Sequence, residues 1–361
     1  MAAYIFRRLL LIIPTLFGIM VINFAIIQFI PGGPVEQALA NLENLGSGFD
    51  AVGGSAGDAG ISTADEASGY KGRIGLSEDF IKDLEAQYGF DKPVTERFWI
   101  MMKSYLVFDF GESYFRSISV VDLIIEKLPV SITIGLWATL ITYIVAIPLG
   151  IRKAVRDGSR FDTWSTTILI VTSSIPSFLI AIVLVVLFAG GSFWQWFPLR
   201  GLTSSNFDEL SLFGQIKDYF WHITLPVLAM SIGSFTTLAL LTKNSFLDEI
   251  KKQYVVTARA KGAPERRVLY GHIFRNAMLI IVAGFPGLFI SVFFAGSLII
   301  ETIFSLDGLG RMGFEAVVQR DYPIMFATMY FFTLIGLVVK IISDLTFVWI
   351  DPRIDFESRR V

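Results

Sequence analysis

A short polar stretch between two apolar segments decides how this chain is interpreted: residues 254–262 read Tyr-Val-Val-Thr-Ala-Arg-Ala-Lys-Gly. The small side chains of Thr257 and Ala258 would let a partner approach the backbone closely. Gly262 suits the left-handed conformation that ends a helix, and Pro264 suits the first turn of the next helix, because it has no N–H that needs a partner. The stretch therefore predicts a helix, a sharp bend and a second helix, which together form a docking surface.

Long uncharged windows on both sides of this stretch predict membrane-spanning helices. Hydrophobic residues make up 53% of the 361 residues and charged residues only 17%, whereas soluble domains average about 25% charged residues. About 20 residues of helix cross the hydrocarbon of a bilayer. Six windows of this length are uncharged, apart from Lys340 and Asp344 in the last: residues 9–30, 128–151, 163–199, 219–242, 276–300 and 322–350. The chain is therefore predicted to be an all-α membrane protein with six transmembrane helices.

The charges outside these windows are distributed unevenly, and they predict the orientation of the helices. If the N-terminus is cytoplasmic, the inner segments carry 17 Lys and Arg against 8 Asp and Glu, and the outer segments carry 12 against 23. Lys and Arg in short loops near helix ends favour the cytoplasmic side. Both termini are therefore predicted to be cytoplasmic.

The windows and loops divide the chain into four predicted parts. Residues 1–30 form an N-terminal transmembrane helix, and residues 31–127 form an extracytoplasmic insertion or cap. Residues 128–350 form a core of five transmembrane helices, with a long cytoplasmic loop at residues 243–275. Residues 351–361 form a cytoplasmic tail.

Two segments of the insertion differ in composition. Residues 44–75 are rich in Gly, Ala, Ser and Asp and offer little apolar surface to bury, which predicts a mobile segment. Phe80, Leu84 and Tyr88 then recur at helical spacing, and Gly89 ends this short predicted helix.

Two charged residues must enter the membrane in the last window. Lys340 and Asp344 lie four residues apart and therefore share one face of a helix. Because an unpaired ion in hydrocarbon is costly, the two side chains either neutralise each other or line a wet translocation path. Both interpretations stay open.

A proline and hydroxyl side chains interrupt the third window at Ser173, Ser174 and Pro176. The proline ring disrupts a backbone hydrogen bond, and serine hydroxyls can bind the carbonyl that this leaves. The interruption is either a structural kink or part of the lining of a translocation path. Asn23 in the first window is a weaker candidate for such a lining, because a hydrogen bond between helices would explain it equally well.

Aromatic residues cluster in residues 193–221, which join the third and fourth windows. Trp194, Trp196 and Trp221 lie near the ends of these apolar runs. Such residues are typical of the aromatic belt at a membrane interface. Contact with a substrate is the second interpretation.

The chain shows no signature of catalysis. It has no GxxxxGK[ST] pattern, which predicts that it does not bind ATP through a P-loop. It has no cysteine, and its two histidines, His222 and His272, lie far apart. We therefore expect neither a cofactor nor a metal ion in this chain, and no enzymatic activity.

Six further motifs follow one another along the chain: LPVSITIG at 128–135, IPLGI at 147–151, WHITLP at 221–226, LDGLG at 306–310, RDYP at 320–323 and DPRI at 351–354. Together with residues 254–262, they resemble the permease subunits of ATP-binding-cassette (ABC) importers, in particular the dipeptide and oligopeptide branch. The insertion at residues 44–75 and the ending at residues 351–356 resemble the Yej type of permease, which imports peptides and microcin C.

This resemblance implies a fold and a set of partners. The fold would be that of the type I ABC importer permease, in the inner membrane of a bacterium. The partners would be a homologous second permease subunit, two ATP-binding-cassette subunits that use ATP and Mg²⁺, and an extracytoplasmic peptide-binding protein.

The resemblance also assigns a role to the loop after the fourth window. In such permeases this loop couples the membrane domain to the ATPase subunits. Val256 departs from the pattern, because the family has an acidic residue there. The residues implied in coupling are Thr257, Ala258, Arg259, Ala260, Lys261, Gly262, Ala263, Glu265 and Arg266.

Three functions are compatible with the sequence. The first is a permease subunit of an ATP-driven peptide importer. The second is an ion-coupled carrier in which Lys340 and Asp344 form the ion site, and the third is a membrane scaffold or receptor. The loop at residues 254–262 favours the first, because a carrier needs no docking surface for an ATPase.

Overall fold

The computed structural model describes residues 2–29, 91–116, 118–191, 193–295 and 297–350. Side chains at residues 2–5, 23, 26–29, 291–297 and 347–350 are not described. Three features predicted from the sequence lie outside these residues: the mobile segment at residues 44–75, the short helix through Phe80, Leu84 and Tyr88, and the tail at residues 351–361.

The described residues are mostly helical, and a bridge between Glu112 and Ser119 is the one β-type pairing among them. A 3₁₀ turn covers Phe207–Glu209, and a π-helix covers Val268–Ile273. The α-helices are α1 Ala2–Phe29, α2 Val94–Leu106, α3 Val120–Val155, α4 Arg160–Ser173, α5 Ser177–Phe188, α6 Leu212–Ile250, α7 Gln253–Ala260, α8 Glu265–Arg267, α9 Phe274–Ala283, α10 Phe285–Ala295, α11 Ser297–Ile303, α12 Leu309–Gln319 and α13 Tyr322–Ile350. The predicted all-α class is confirmed for these residues.

Several of these helices can cross a membrane. Among the described residues, four helical segments are long and apolar enough, or five if the bent pair α4 and α5 counts as one span. The four are Val120–Val155, Leu212–Ile250, Glu265–Ile290 and Tyr322–Thr346. Residues 9–29 of the first predicted span belong to α1, a helix of 28 residues that ends at Phe29.

The third predicted span is sharply bent. Helices α4 and α5 meet at an angle of 92° across the break that contains Pro176. The hydroxyls of Ser173 and Ser174 donate to the carbonyl of Ile170 at 3.0 and 2.9 Å, so side chains bind a carbonyl at the end of α4. The break agrees with the sequence analysis. The hydroxyls, however, bind the Ile170 carbonyl, which also accepts from the Ser174 N–H, and not the Thr172 carbonyl that lies four residues before Pro176.

The described residues divide into two compact units. One contains the described residues of Met1–Ile13, Ile125–Phe314 and Phe332–Val361, and the other contains those of Pro14–Ile124 and Glu315–Phe331. In the second unit, Tyr105, Phe110 and Tyr330 pack ring against ring. The Ser113 hydroxyl donates to the buried carboxylate of Asp321 at 2.5 Å, which joins the RDYP motif to the segment between α2 and α3.

The core of the first unit depends on a close crossing of α3 and α6. A Cβ atom added at Gly150 on α3 would lie 2.5 Å from Cβ of Thr242 and 2.6 Å from the carbonyl oxygen of Ala239. Thr242 and Ala239 are fully buried on α6. The glycine of the IPLGI motif therefore permits the two helix backbones to approach each other.

Gly150→Ala is expected to destabilise the protein, because its methyl group would overlap the backbone of α6. Overpacking of this kind costs about 1–3 kcal/mol. The matched control is Gly233→Ala on α6, where an added Cβ meets nothing within 4 Å. The control should be neutral or stabilising by about 0.5–1 kcal/mol, since alanine favours a helix over glycine. Thermal unfolding of both variants in detergent checks this, and equal melting temperatures would refute the close crossing.

Candidate docking site

The predicted bend at residues 254–262 is present and has a defined geometry. Helix α7 ends at Ala260, and Gly262 takes a φ of +76°. The Gly262 N–H donates to the carbonyl of Arg259 at 2.9 Å, and the Ala263 N–H donates to the carbonyl of Ala258 at 3.2 Å. These bonds form a Schellman motif, which terminates the helix and fixes the direction of the chain after it.

A side-chain clamp closes the bend from the outside. Nε and Nη2 of Arg259 donate to the two carboxylate oxygens of Glu265 at 2.8 and 3.1 Å. Pro264 caps the N-terminus of α8 and lies outside its first turn, and the N–H groups of Arg267 and Val268 bond its carbonyl at 2.8 and 3.0 Å. The contacts therefore hold α7, which precedes Gly262, to α8, which follows it.

The inner face of the bend is anchored in the core of the first unit. Val255 on α7, Val268 of the π-helix and Phe246 on α6 are fully buried in one apolar cluster. Tyr254 donates its hydroxyl to Glu249 at 2.7 Å. Burial and the bond to Glu249 raise the pKa of the Tyr254 hydroxyl, so it stays protonated and remains a donor. Movement of α7 would therefore be transmitted to the end of α6.

The outer face of the bend is open. Ala258 and Ala263 pack against the apolar core and are half-buried. These two small residues therefore contribute to the packing beneath the bend as well as to its exposed surface. The other residues of the predicted coupling set are exposed: Thr257, Arg259, Ala260, Lys261, Gly262, Glu265 and Arg266. The structure thus presents a rigid, mixed-charge surface of about two helical turns.

A buried charge network involves Lys243 on α6, and the sequence analysis missed it. Nζ of Lys153, which is fully buried, lies 3.0 Å from Oδ1 of Asp162 and bonds the carbonyl of Asp162 at 3.0 Å. Oδ2 of Asp162 accepts from Lys243 at 2.6 Å, and Lys243 also pairs with Asp157 at 2.8 Å. The network joins the end of α3, the start of α4 and the α6 helix that leads into the docking loop.

A second buried carboxylate explains the LDGLG motif. Glu301, which has no exposed surface, accepts from the Ser131 hydroxyl and the Arg311 N–H, each at 2.8 Å. An added Cβ at Gly308 would lie 2.3 Å from the Glu301 carboxylate, so a larger residue there would have to displace this carboxylate. Burial raises the pKa of the Glu301 carboxyl, and the bonds from Arg311 and Ser131 oppose that rise. The motif wraps this carboxylate and joins α11 to α3.

The candidates for a translocation path lie on or beside three helices, α1, α4 and α13. Ser173, Ser174 and Pro176 are exposed at the bend between α4 and α5. The side chain of Asn23 lies outside the described residues. Lys340 is exposed on α13, and Asp344 lies one turn further along. Their role as path-lining residues stays a prediction.

The structure gives Asp344 a partner that the sequence analysis did not consider. Oδ2 of Asp344 lies 3.1 Å from Nη2 of Arg8 on α1. The side chain of Asp344 is 14% exposed and that of Arg8 is 35% exposed, so the pair is partly withdrawn from solvent. The spacing of Lys340 and Asp344 alone could not reveal this pair, because Arg8 lies at the other end of the chain.

Asp344→Ala is therefore expected to lower the yield of folded protein by removing a carboxylate that pairs with Arg8. The cost should be about 1–3 kcal/mol, between the values for exposed and buried ion pairs. Arg8→Ala combined with Asp344→Ala should be milder than Asp344→Ala alone, whereas adding Lys340→Ala should bring no such relief. The measurement is the yield of monodisperse protein in detergent. If adding Lys340→Ala raises the yield of the Asp344→Ala variant and adding Arg8→Ala does not, the ion pair of Arg8 and Asp344 is contradicted.

The aromatic residues between the third and fourth windows form one stack. The rings of Trp194 and Trp196 lie 5.1 Å apart, and that of Trp194 lies 5.5 Å from Phe188. The indole N–H of Trp221 donates to the carbonyl of Trp196 at 2.6 Å. Trp194 and Trp196 remain half exposed, which is compatible with both an interfacial belt and a substrate contact.

Comparison with known proteins decides the family. Residues 146–356 match the family described as "Binding-protein-dependent transport system inner membrane component". The chain belongs to this family. The matched range contains the docking loop, the Asp162 network and Glu301, and members of the family are ABC importer permeases that work with a second permease and with ATPase subunits.

Full-length relatives support the assignment. The chain is 61% identical over 364 residues to the peptidoglycan transport system permease protein YejB of Agrobacterium fabrum, with 100% of both chains covered. It is 58% identical to the inner membrane ABC transporter permease protein YejB of Escherichia coli O157:H7, with 99% of this chain and 100% of the relative covered. It is 31% identical to the oligopeptide transport system permease protein AppB of Bacillus subtilis, with 99% and 100% covered. The resemblance to Yej-type permeases is confirmed.

A solved structure supports the fold. An inward-facing structure of the MetNI methionine ABC transporter aligns with a TM-score of 0.50 and 13% identity, covering 64% of this chain and 97% of that chain. At this identity the likeness concerns the fold alone. The chain is thus a multi-pass inner-membrane protein with the type I ABC importer permease fold, as the sequence analysis predicted.

Proposed function

We propose that the chain is one of two different permease subunits of an ATP-driven importer for oligopeptides, including microcin C-like peptides. The observation that carries the proposal is the docking loop: an exposed surface on a fixed bend whose inner face is locked to α6. The names of the relatives support a peptide substrate, because they include an oligopeptide permease and a peptidoglycan permease. Peptides carried on peptidoglycan fragments fit both names.

The partners follow from this role. A homologous permease completes the translocation path, and two ATP-binding-cassette subunits dock on the loops of the two permeases. ATP and Mg²⁺ are used by those subunits, so this chain itself catalyses no reaction and holds no cofactor. An extracytoplasmic binding protein delivers the peptide. Both termini and the docking loop are cytoplasmic, in agreement with the excess of Lys and Arg on that side.

The contacts within the chain provide a route for coupling. Closure of the ATPase subunits would push on the exposed face of α7. Val255 packs with Phe246 on α6, and Lys243 on the same helix binds Asp162 at the start of α4. Helix α4 leads to the bend at Ser173. Force on the loop therefore reaches the bent span through side chains that are in direct contact.

Purification of the complex and transport assays test this function. The tagged chain, expressed with its genomic neighbours, should co-purify with a second permease and a P-loop ATPase. In proteoliposomes, uptake of an oligopeptide should need ATP and the binding protein and should persist when the proton gradient is collapsed. Uptake driven by an ion gradient without ATP would favour the carrier hypothesis. Absence of any transport by the complete complex would favour the scaffold.

A further inference from the structure

A groove lies close to the loop at residues 254–262, and coupling does not explain it. It has a volume of about 710 Å³ and lies between α3 and the helical segment that runs through the π-helix into α9. Ile144, Ile147 and Pro148 form one wall, and Leu269, Phe274 and Met278 form the other. Two cations, Arg152 and Arg156, line the groove where α3 ends. One site thus combines a long apolar channel with a positively charged end.

The π-helix contributes to this shape. An α-helix places residues four apart on one face, whereas the wider turn of a π-helix aligns residues five apart. Leu269 therefore joins Phe274 and Met278 on the wall of the groove. π-helical turns are rare and are found frequently at functional sites.

The charged end is available to an anion. Arg152 and Arg156 are exposed, and within the described residues neither forms an ion pair with an acidic side chain. The nearby carboxylates are already engaged: Asp157 pairs with Lys243, and Asp162 pairs with both Lys153 and Lys243. The guanidinium of Arg152 is held over the ring of Phe161, 5.0 Å from its centre.

The length of the groove matches a lipid. From Ile144 to Arg156 the α3 helix rises about 18 Å, which is close to half of a bilayer about 40 Å thick. Both walls belong to helical segments that are long and apolar enough to cross a membrane. A ligand with an apolar chain and an anionic head would meet both parts of the site, whereas a peptide would find little in the apolar walls to bond its backbone.

We propose that this groove binds an anionic phospholipid of the leaflet that faces the docking loop, with the phosphate at Arg152 and Arg156 and an acyl chain along Ile147 and Phe274. Basic pockets between transmembrane helices are suited to such headgroups. Leu269 of the groove belongs to the π-helix that follows α8 and the bend at Gly262, so a bound lipid would stabilise the base of this loop. Lipid binding goes beyond the proposed function and can fail without affecting it.

The test uses the complete complex, exchanged into nanodiscs of phosphatidylglycerol and phosphatidylcholine and analysed for bound lipid by native mass spectrometry. Arg152→Gln with Arg156→Gln should weaken retention of phosphatidylglycerol about 30-fold, because each cation near an anionic leaflet contributes about a factor of five. The matched control, Arg160→Gln with Lys251→Gln, removes the same charge from exposed positions outside the groove and should leave retention unchanged. If both double variants lose phosphatidylglycerol to the same extent, the proposed lipid site is wrong.

A second variant tests the apolar part without changing charge. Ile144 is 68% exposed, so Ile144→Trp should fold normally while narrowing the groove. It should reduce labelling of residues 269–278 by a phosphatidylglycerol with a photoreactive acyl chain. Equal labelling by the matching phosphatidylcholine would refute the preference for an anion. Absence of labelling in the parent complex would show that the second permease covers the groove, and would also overturn the proposal.

Discussion

Replacing Gly262 with valine is expected to uncouple transport while leaving the complex assembled. Gly262 has a φ of +76°, and a β-branched residue strongly resists that conformation. The strain is at least about 1–2 kcal/mol, and it would be relieved by opening the Schellman motif at Ala258 and Ala263. The surface of α7 would then no longer move rigidly with α6. ATPase activity stimulated by the loaded binding protein, and peptide uptake, should both fall about tenfold or more.

Two controls separate this effect from general strain. Gly201 also has a positive φ, of +79°, and lies in the segment between α5 and α6, away from the docking loop. Gly201→Val should therefore leave the stimulation of ATPase activity much less affected per folded complex. Gly262→Asn should retain most coupling, because asparagine tolerates the left-handed region. Full stimulation and normal uptake by Gly262→Val would remove the bend from the mechanism.

Asp162→Ala is expected to be strongly destabilising, more so than Gly150→Ala or Asp344→Ala. It would leave Lys153, which has no exposed surface, and Lys243 without the carboxylate that now lies between them. Breaking a buried ion pair by removing one partner costs about 3–5 kcal/mol. Little folded protein should be recovered, and the melting temperature of the remainder should be clearly lower.

Asp157→Ala is the matched control for this substitution. Asp157 pairs with the same Lys243 at 2.8 Å, but its side chain is 52% exposed, so its loss should cost less than about 1 kcal/mol. Lys153→Met combined with Asp162→Ala should recover part of the stability, because it removes the buried charge as well. If Asp157→Ala and Asp162→Ala lower the melting temperature equally, the network is not buried in the assembled complex.

The features that the sequence predicted are those that depend on local chemistry. The left-handed Gly262 follows from the lack of a side chain, and the bend at Ser173 and Pro176 follows from the proline ring. The apolar windows predicted the long helices because each backbone polar group must be satisfied within a helix in hydrocarbon. Each of these features depends only on residues that are neighbours along the chain.

The features that the sequence missed depend on residues that the fold brings together. Asp162 meets Lys243 only because α4 packs on α6, and Asp344 meets Arg8 only because the two ends of the chain lie together in one unit. Lys153 did carry a signal, since it is a charged residue directly beside an apolar window. Its partner could not be chosen from the sequence, because Asp157 lies nearer to it along the chain than Asp162 does.

The bent span also bears on how this protein fits its bilayer. Helix α4 has 14 residues and α5 has 12, so they are about 21 and 18 Å long. Neither arm reaches across about 30 Å of hydrocarbon, and at 92° their lengths do not add. This part of the chain is therefore too short for the hydrocarbon layer, which is a hydrophobic mismatch. The mismatch is relieved when the bilayer becomes thinner locally or when a neighbouring subunit covers the bend. We expect membrane thickness to influence this permease more than one whose helices all cross straight, so that lipids with longer acyl chains should slow transport.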